Sequence, residues 1–357
     1  MKIAIIADTH FGVRSDSPAF AEYQYKFLED IFFPYLQKNN IKHLIHLGDV
    51  VDRRKFVNFK TLNDFRNKFM LPLWDMKIDT HIIIGNHDTY YKNTNEINAP
   101  IELFTTYDGV HEPFIYDQPK VVTLDDVRFL MLPWICPENA AQTKTMLEQE
   151  SADIVCGHLE IAGFEMLSGL VNSHGLDKKY LKRFEKVFTG HFHKKSDDGH
   201  IYYLGSPYEM VWSDYKCPKG FHVFDTETRE LERILNPYRI HRKIYYNDDT
   251  ADYSEFNYSD YRDSYIKVIV EKKKDYYMFD RFLDGFYKMT NVHDLKVIED
   301  YSDLDSSGVD DDIAEKAEDT TTLLDNYIEQ LNTKLNKERL KTLMRTLYTE
   351  ANDSDIL

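Results

Sequence analysis

Five short clusters of carboxylate, amide and imidazole side chains stand in the first 193 residues, each directly after an apolar run. They are Asp8-Thr9-His10, Gly48-Asp49, Gly85-Asn86-His87-Asp88, Gly157-His158 and Gly190-His191-Phe192-His193. Together they offer three carboxylates, one amide and five imidazoles. Mixed oxygen and nitrogen ligands of this kind suit Mn²⁺, Fe²⁺ or Zn²⁺ better than Ca²⁺. Nine such groups exceed the coordination of one ion, so the residues predict a site for two.

The apolar runs that precede the clusters are typical of buried β-strands. They cover residues 3–7, 43–47, 80–84, 153–156 and 186–189. In an α/β sheet the carboxyl ends of the strands converge on a crevice, and ligands bind there. Because residues i and i+2 of a strand point the same way, we expect Asp8 with His10 to aim two ligands at one centre. The same reasoning applies to His191 with His193.

The segments around these strands predict the rest of an α/β domain. Apolar spacing predicts a helix over residues 18–38, bent or ended by Pro34, and a second helix over residues 58–76. This alternation of strand and helix is typical of a largely parallel sheet. A hairpin is predicted over 121–132 and a helix over 137–150. The runs 201–204, 221–224 and 230–235 predict a mostly antiparallel second half.

The ordered series Asp-x-His, Gly-Asp, Gly-Asn-His-Asp, Gly-His and Gly-His-x-His resembles that of the calcineurin-like metallophosphoesterases. Within this family it is most similar to the SbcD-type nuclease subunits of DNA repair complexes and their counterparts in T-even-like phages. The resemblance implies a two-sheet α/β sandwich flanked by helices, with a small α/β capping domain and a C-terminal helical tail. It also implies a metal-dependent phosphodiesterase that acts as a DNA exonuclease and endonuclease in recombination, repair and replication.

The resemblance assigns roles to individual residues. One ion would be held by Asp8, His10, Asp49 and His193, and the other by Asp49, Asn86, His158 and His191, with Asp49 as the bridge. Two ions about 3.5–4 Å apart can clamp both oxygens of an in-line displacement at phosphorus. We expect Mn²⁺, with Mg²⁺ as the alternative. His87 would protonate the leaving oxygen as general acid, with a hydrogen-bonding role beside the metals as the alternative. Asp88 is expected to orient a neighbouring imidazole.

One position departs from the nuclease pattern. Asp52 stands where many cellular nuclease subunits carry His, three residues after Asp49. Asp52-Arg53 instead resembles the protein Ser/Thr phosphatases, in which that Arg binds phosphate. A phosphatase-like phosphomonoesterase is therefore the first alternative function, although Arg54 stands where those enzymes have Gly. A non-catalytic scaffold that binds DNA ends is the second alternative, and the complete ligand set weighs against it.

The net charge of −17 argues at first against a nucleic-acid partner. Two acidic stretches, 247–263 and 300–325, carry −5 and −9 of that charge, so the remainder of the chain is close to neutral. The basic cluster Arg53, Arg54 and Lys55 follows the second metal motif, and such residues make phosphate contacts with DNA. We expect this cluster to contact DNA, with an ordinary solvated surface as the alternative.

Composition predicts four regions along the chain. They cover 1–237, 238–300, an acidic linker over 301–322 and a helical tail over 323–357. The resemblance implies that the first region is the nuclease domain and that the second is a capping domain that positions DNA. The alternative for the second region is an α/β appendage that only completes the core. The tail carries an apolar stripe that begins at Leu324 and Ile328. The resemblance implies that this tail docks on the coiled coil of an SMC-like ATPase and that the enzyme is a homodimer. The alternative is a tail that folds back on the main domain.

The cysteine pattern and the lack of long apolar runs bear on location. Three cysteines, at 136, 156 and 217, match no disulfide or zinc spacing, which favours a reducing compartment. No signal peptide or membrane span is predicted. We therefore expect a cytoplasmic protein without a membrane partner, and the resemblance implies the cytoplasm of a phage-infected bacterial cell.

Overall fold

The computed structural model describes residues 1–104, 112–167, 170–172, 175–299, 328 and 336–344. Its strands, numbered along the chain, are β1 (Lys2–Ile6), β2 (His43–His46), β3 (Asp79–Ile83), β4 (Phe114–Tyr116), β5 (Lys120–Leu124), β6 (Val127–Leu132), β7 (Ile154–Gly157), β8 (Glu165–Leu167), β9 (Leu170–Val171), β10 (Lys186–Thr189), β11 (Ser196–Asp197), β12 (Ile201–Tyr203), β13 (Lys219–Asp225), β14 (Leu231–Asn236), β15 (His241–Asn247), β16 (Tyr265–Lys272) and β17 (Asp294–Ile298). Within residues 1–299, the described α-helices of five or more residues are α1 (Pro18–Phe27), α2 (Phe33–Lys38), α3 (Phe59–Phe65), α4 (Leu71–Asp75), α5 (Ala99–Phe104), α6 (Ala140–Gln149) and α7 (Tyr276–Met289).

The first 236 residues form two six-stranded sheets, and each sheet combines parallel and antiparallel strands. The first runs β14-β13-β1-β2-β3-β4, with β1 to β4 parallel and β13 and β14 antiparallel. The second runs β11-β12-β10-β7-β6-β5, with β12, β10, β7 and β6 parallel and both edge strands antiparallel. With helices between the strands, this is the α/β architecture of two sheets that the sequence predicts.

One predicted strand orientation is wrong. The run 201–204 was expected to be antiparallel, yet β12 pairs in parallel with β10, with Val187 opposite Ile201. The reason is that the chain leaves β10, forms β11 on the far side of β12, and then returns between the two. β13 and β14 are antiparallel as predicted, and they extend the first sheet through β1.

An apolar layer between the sheets holds them together. Alternate residues of β1 and its continuation, Ile3, Ile5 and Ala7, belong to this layer, and Phe129 and Phe188 of the second sheet belong to the same cluster. The intervening residues of β1 are buried as well. Because successive side chains of a strand point to opposite faces, β1 is covered on both sides, which explains its uninterrupted apolar run.

Each of the two predicted long helices contains a π-turn just ahead of a proline. Leu28–Phe32 precedes Pro34, and Arg66–Met70 precedes Pro72. Proline has no N–H, and its ring clashes with the carbonyl four residues earlier in a regular α-helix. The wider turn, closed by hydrogen bonds from residue i+5 to residue i, carries the chain past each proline. Pro34 therefore changes the hydrogen-bond pattern without ending the helix.

A three-stranded sheet, β15-β16-β17, and α7 follow the second sheet. They share an aromatic core that includes Tyr246, Phe279, Phe282 and Phe286. Apolar spacing predicts a strand over 265–271, a helix over 276–289 and a strand over 294–298, and β16, α7 and β17 lie there. Strand β15 was not predicted. The domain boundaries placed at residues 237 and 300 stay a prediction.

Most of the acidic linker and the helical tail lies outside the described residues. Within the described part, Ile328 is buried and residues 337–344 are helical. The side chain of Asn336 accepts a hydrogen bond from the Arg339 N–H at the start of this helix, and Leu343 is 53% exposed. The docking role of the tail stays a prediction. Across the described residues, no helix combines the length and the apolar character needed to cross a bilayer.

Candidate metal centre

All five predicted clusters meet where the two sheets present the carboxyl ends of their strands. β1, β2 and β3 lead into residues 8–10, 49 and 86–88, while β7 and β10 lead into residues 158 and 191–193. Their ligand-type atoms form three groups, each within 4.8 Å: Asp8, His10 and His193; His10, Asp49 and His87; Asp49, His158 and His191. Asn86 joins the third group, because its Oδ1 lies 2.9 Å from His158 Nε2 and 3.0 Å from His191 Nδ1.

The structure separates His191 from His193, contrary to the expectation from strand geometry. β10 ends at Thr189, and His191 has a left-handed φ of 88°, so the two side chains diverge. His193 Nε2 lies 3.0 Å from His10 Nε2, whereas His191 faces Asn86. Asp8 and His10, by contrast, lie in one group as expected.

The Asp49 carboxylate lies at the centre of the cluster. Its Oδ1 accepts a hydrogen bond from the His87 backbone N–H at 2.8 Å. Its Oδ2 lies 3.3 Å from His158 Nε2 and 3.6 Å from His10 Nε2. Asp49 therefore belongs to two of the three ligand groups and lies near one imidazole from each sheet.

Close backbone packing brings the ligand loops together. A Cβ on Gly85 would lie 2.2 Å from both the backbone nitrogen and Oδ1 of Asp49, so only glycine allows the third loop to approach the second. Asp8, His10 and Asp49 have left-handed φ values of 52°, 42° and 53°. Non-glycine residues in this region cost about 1–3 kcal/mol each and concentrate at functional sites. The cost is offset by backbone hydrogen bonds between the first two loops, such as His10 N–H to Asp49 O at 3.0 Å.

A buried neutral histidine joins the first two loops as well. His46 Nδ1 accepts the Gly48 N–H, so its Nε2 carries the proton and donates to Thr9 Oγ1 at 2.9 Å. Thr9 Oγ1 then donates to the Val50 carbonyl. Burial lowers the pKa of His46 to about 3, which keeps the ring neutral at pH 7. His46 is thus a structural residue.

Asp88 and Asp52 act differently from the sequence prediction. Asp88 was expected to orient an imidazole, but its carboxylate accepts backbone N–H groups of Gly85, Val50 and Val51 and so joins two ligand loops. Asp52 was noted only as a departure from the nuclease pattern. Its Oδ1 lies 3.3 Å from His10 Nδ1, and its carbonyl accepts the Nδ1–H of His87 at 2.6 Å. Only its spacing from Asp49 could have hinted at this role.

The electrostatics of the cluster couple carboxylates to imidazoles. Burial disfavours a charged His10, but Asp52, Asp49 and Asp8 outweigh burial and raise the pKa of His10 to about 9. Burial is likewise outweighed at His158, where Asp49 and Asp8 raise the pKa to about 9. Burial also opposes ionisation of Asp49, yet His158, His87 and His10 hold its pKa well below the usual range. The cluster therefore favours positive charge next to an ionised Asp49.

The residues fit divalent metal ions. Asp8 Oδ2 is buried without a hydrogen-bond partner, a costly state that a cation would relieve. The Nδ1–H of His158 donates to the Leu47 carbonyl at 2.8 Å, and His10 Nδ1 faces Asp52, so each ring directs Nε2 into the cluster. This arrangement, one ring nitrogen on an oxygen acceptor and the other on the metal, is typical of metal-ligating histidines.

A sandwich of two mixed sheets with a His/Asp cluster at its strand ends defines a metal-dependent phosphoesterase. The family model for calcineurin-like phosphoesterases matches residues 1–195. The chain belongs to this family, and it is a metal-dependent hydrolase of phosphodiesters.

A curated relative matches almost the whole chain. Exonuclease subunit 1 of Enterobacteria phage T4 is 34% identical over 355 residues, which cover 98% of this chain and 99% of the relative. A solved archaeal phosphodiesterase is 16% identical with a TM-score of 0.36, covering 66% of this chain and 100% of its own. GAP50, the anchor in the inner membrane complex of Plasmodium, is 13% identical with a TM-score of 0.39, covering 67% and 90%.

The basic cluster near the site is partly engaged within the protein. Arg53 forms a 3.3 Å ion pair with Asp16 and lies over the Phe56 ring, and Arg54 lies over the Trp134 ring. Lys55 is exposed. The predicted DNA contacts of Arg53, Arg54 and Lys55 stay a prediction.

Metal binding to the metal-free protein is expected to release protons. Because pH 7 is below the pKa of about 9 of both His10 and His158, each ring carries an extra proton that ligation must displace. Apparent Mn²⁺ affinity should therefore rise between pH 6.5 and 8.5, by up to about tenfold per pH unit for each proton released. Calorimetry in buffers of different ionisation enthalpy measures the proton count. Mn²⁺ binding to His158→Asn should release one proton fewer than binding to the wild type. Mn²⁺ binding without proton release would contradict the coupling between metal binding and histidine deprotonation.

Proposed function

We propose that this protein is a dimetal-dependent DNA nuclease with exonuclease and endonuclease activity. The observation that carries the proposal is the set of ligand groups around Asp49, because a shared carboxylate between two groups suits a pair of ions on one phosphodiester. The likeness to a phage exonuclease subunit supports DNA as the substrate. The expected ions are Mn²⁺, with Mg²⁺ as the alternative.

The proposed ligand sets are those that the family resemblance implies. The grouping of Asp8, His10 and His193, and of Asp49, His158 and His191, supports them. The first ion would be held by Asp8, His10, Asp49 and His193, and the second by Asp49, Asn86, His158 and His191. Such a pair supplies a nucleophile at neutral pH and neutralises charge on the non-bridging phosphate oxygens. The chain itself orients these ligands through the Leu47 carbonyl behind His158 and the Asp52 carboxylate behind His10.

His87 is the proposed general acid. Its Nδ1–H is held by the Asp52 carbonyl and its backbone N–H by Asp49, so the ring is fixed with Nε2 available to exchange a proton. The ring is only partly buried, and its centroid lies 4.8 Å from that of His10. His87 also belongs to one of the three ligand groups, so metal content must be measured together with activity.

The phosphatase-like alternative depends on Arg53 binding a terminal phosphate. The ion pair with Asp16 and the position over Phe56 direct its guanidinium elsewhere. This geometry favours the nuclease over a phosphomonoesterase. A non-catalytic DNA-end-binding scaffold is disfavoured because every predicted ligand is present and clustered.

The reaction class can be tested directly. With Mn²⁺ the protein should cut end-labelled DNA and release little phosphate from a phosphoserine peptide, and EDTA should abolish cleavage. Asp49→Asn, purified in parallel, controls for contaminating nucleases. Efficient hydrolysis of the phosphopeptide with intact DNA would place the protein with the phosphatases.

The role of His87 is testable through activity and metal content together. His87→Ala should lower DNA cleavage by about 10²–10⁴-fold, as expected for a lost general acid, with both ions still bound. Asp49→Ala should lose metal as well as activity, because it removes the bridge. Metal content is measured for both variants. A loss of DNA cleavage below about fivefold in His87→Ala, or one missing ion in that variant, contradicts the general-acid role.

The nuclease is proposed to be one subunit of a recombination or repair complex. Its relative is named an exonuclease subunit, which supports a partner. The proposed partner is an SMC-like coiled-coil ATPase that binds the tail over 323–357, with the enzyme itself a homodimer in the cytoplasm of a phage-infected bacterial cell. The proposed capping domain over 238–300 would position DNA. The exposure of Leu343 supports a docking role for the tail.

Deleting residues 301–357 separates docking from fold-back. If the tail docks on the ATPase, the truncated enzyme should keep its melting temperature, bind metal and cut single-stranded DNA with Mn²⁺. It should no longer co-purify with the ATPase or respond to ATP. If the tail covers the main domain, the deletion should lower the melting temperature and promote aggregation. A large loss of stability with partner binding retained contradicts the docking role.

A further inference from the structure

A buried lysine stands directly behind one of the proposed metal ligands. Lys219, at the start of β13, has a side chain only 1% exposed. Its ammonium donates to the carbonyl of His193 at 2.9 Å, to Ser206 Oγ at 2.8 Å and to the Asp214 carboxylate at 2.5 Å.

The charge of Lys219 makes each of these contacts obligatory. An ammonium has three N–H donors, and these three acceptors take all of them. Burying an ion is costly unless it is paired and its donors are satisfied. Asp214 supplies the charge partner, and it also accepts the Met210 N–H at 2.9 Å. The remaining donors hold Ser206 and, above all, the carbonyl of His193.

The His193 carbonyl is held from a second direction as well. It accepts the Ser206 N–H at 3.1 Å. The preceding Gly205 has φ 73°, and a Cβ there would lie 2.8 Å from the same carbonyl oxygen. The backbone of His193 is therefore fixed, and its ring reaches across to His10, where the two Nε2 atoms are 3.0 Å apart.

We propose that Lys219 is a positioning residue for the ion assigned to Asp8, His10, Asp49 and His193. Its ammonium, neutralised by Asp214, fixes the peptide of His193 and so sets where the His193 ring meets His10. The proposal rests on the ligand assignment of the proposed function. It predicts that loss of Lys219 weakens this one metal site and leaves the site of Asn86, His158 and His191 unchanged.

A neutral double variant separates positioning from a merely structural role. Lys219→Met alone removes the ammonium from beside the buried Asp214 carboxylate, which lowers stability by itself. In Lys219→Met/Asp214→Asn no buried charge is left, and the asparagine oxygen can still accept the Met210 N–H. We expect unfolding by urea near the wild-type midpoint. Mn²⁺ titration, followed by the electron paramagnetic resonance signal of the free ion, should show one of two sites weakened by about 10–100-fold.

The controls use the same chemistry elsewhere in the chain. Asp214→Asn alone keeps the Lys219 contact to His193, so it should lose stability while both affinities stay within about threefold. If the double variant does not fold, the Mn²⁺ affinity of Asp214→Asn still tests the proposal. Glu209→Gln/Arg239→Met removes another partly buried ion pair, 3.2 Å long, and should leave Mn²⁺ affinity unchanged.

Three results would overturn the proposal. They are a double variant with wild-type Mn²⁺ affinity at both sites, an Asp214→Asn variant with the same affinity loss, and an equal loss in the Glu209/Arg239 control. A wild-type protein that binds one ion contradicts the two-ion function instead. In that case a lower Mn²⁺ affinity of the double variant still supports the role of Lys219, and an unchanged Mn²⁺ affinity still contradicts it.

Discussion

The organisation of the site depends on one buried carboxylate, that of Asp49. It is 2% exposed and lies within 3.6 Å of imidazole nitrogens of His10 and His158, which come from different sheets. An ionised group at that depth is stable only when opposite charge surrounds it. Without metal, that charge comes from imidazoles whose pKa the carboxylates raise to about 9. Divalent ions would supply the same charge, with the protons released to solvent.

The groups around Asp49 are positioned by rigid backbone rather than by loops of variable length. The ligands begin within three residues of strand ends, and the strands are fixed by an apolar layer shared by both sheets. Left-handed φ values at Asp8, His10 and Asp49 and the bare backbone of Gly85 let the loops approach more closely than ordinary side chains allow. His46, Asp88 and Lys219 then hold backbone groups beside the ligands, so that these backbone groups are paired in the interior.

Sequence patterns predicted much of this arrangement, because strand ends and ligand types are local signals. The strands before Asp8, Asp49, Asn86, His158 and His191 lie within one residue of their predicted bounds. The errors in the prediction have different causes. The parallel pairing of β12 depends on the path through β11, and the separation of His191 from His193 depends on a left-handed residue. β15 was missed because basic residues flank its few apolar ones. The partners of Asp52, Asp88 and Lys219 are distant along the chain, and no spacing rule reveals them.

The central claim is that Asp49 bridges two metal ions between the two sheets. Anomalous diffraction from crystals grown with Mn²⁺ tests it most directly, because it locates each ion independently of activity. We expect two peaks about 3.5–4 Å apart with the Asp49 carboxylate between them, one beside His10 and His193 and the other beside His158 and His191. A single peak, or a peak ligated by His87 in place of either pair, would contradict it.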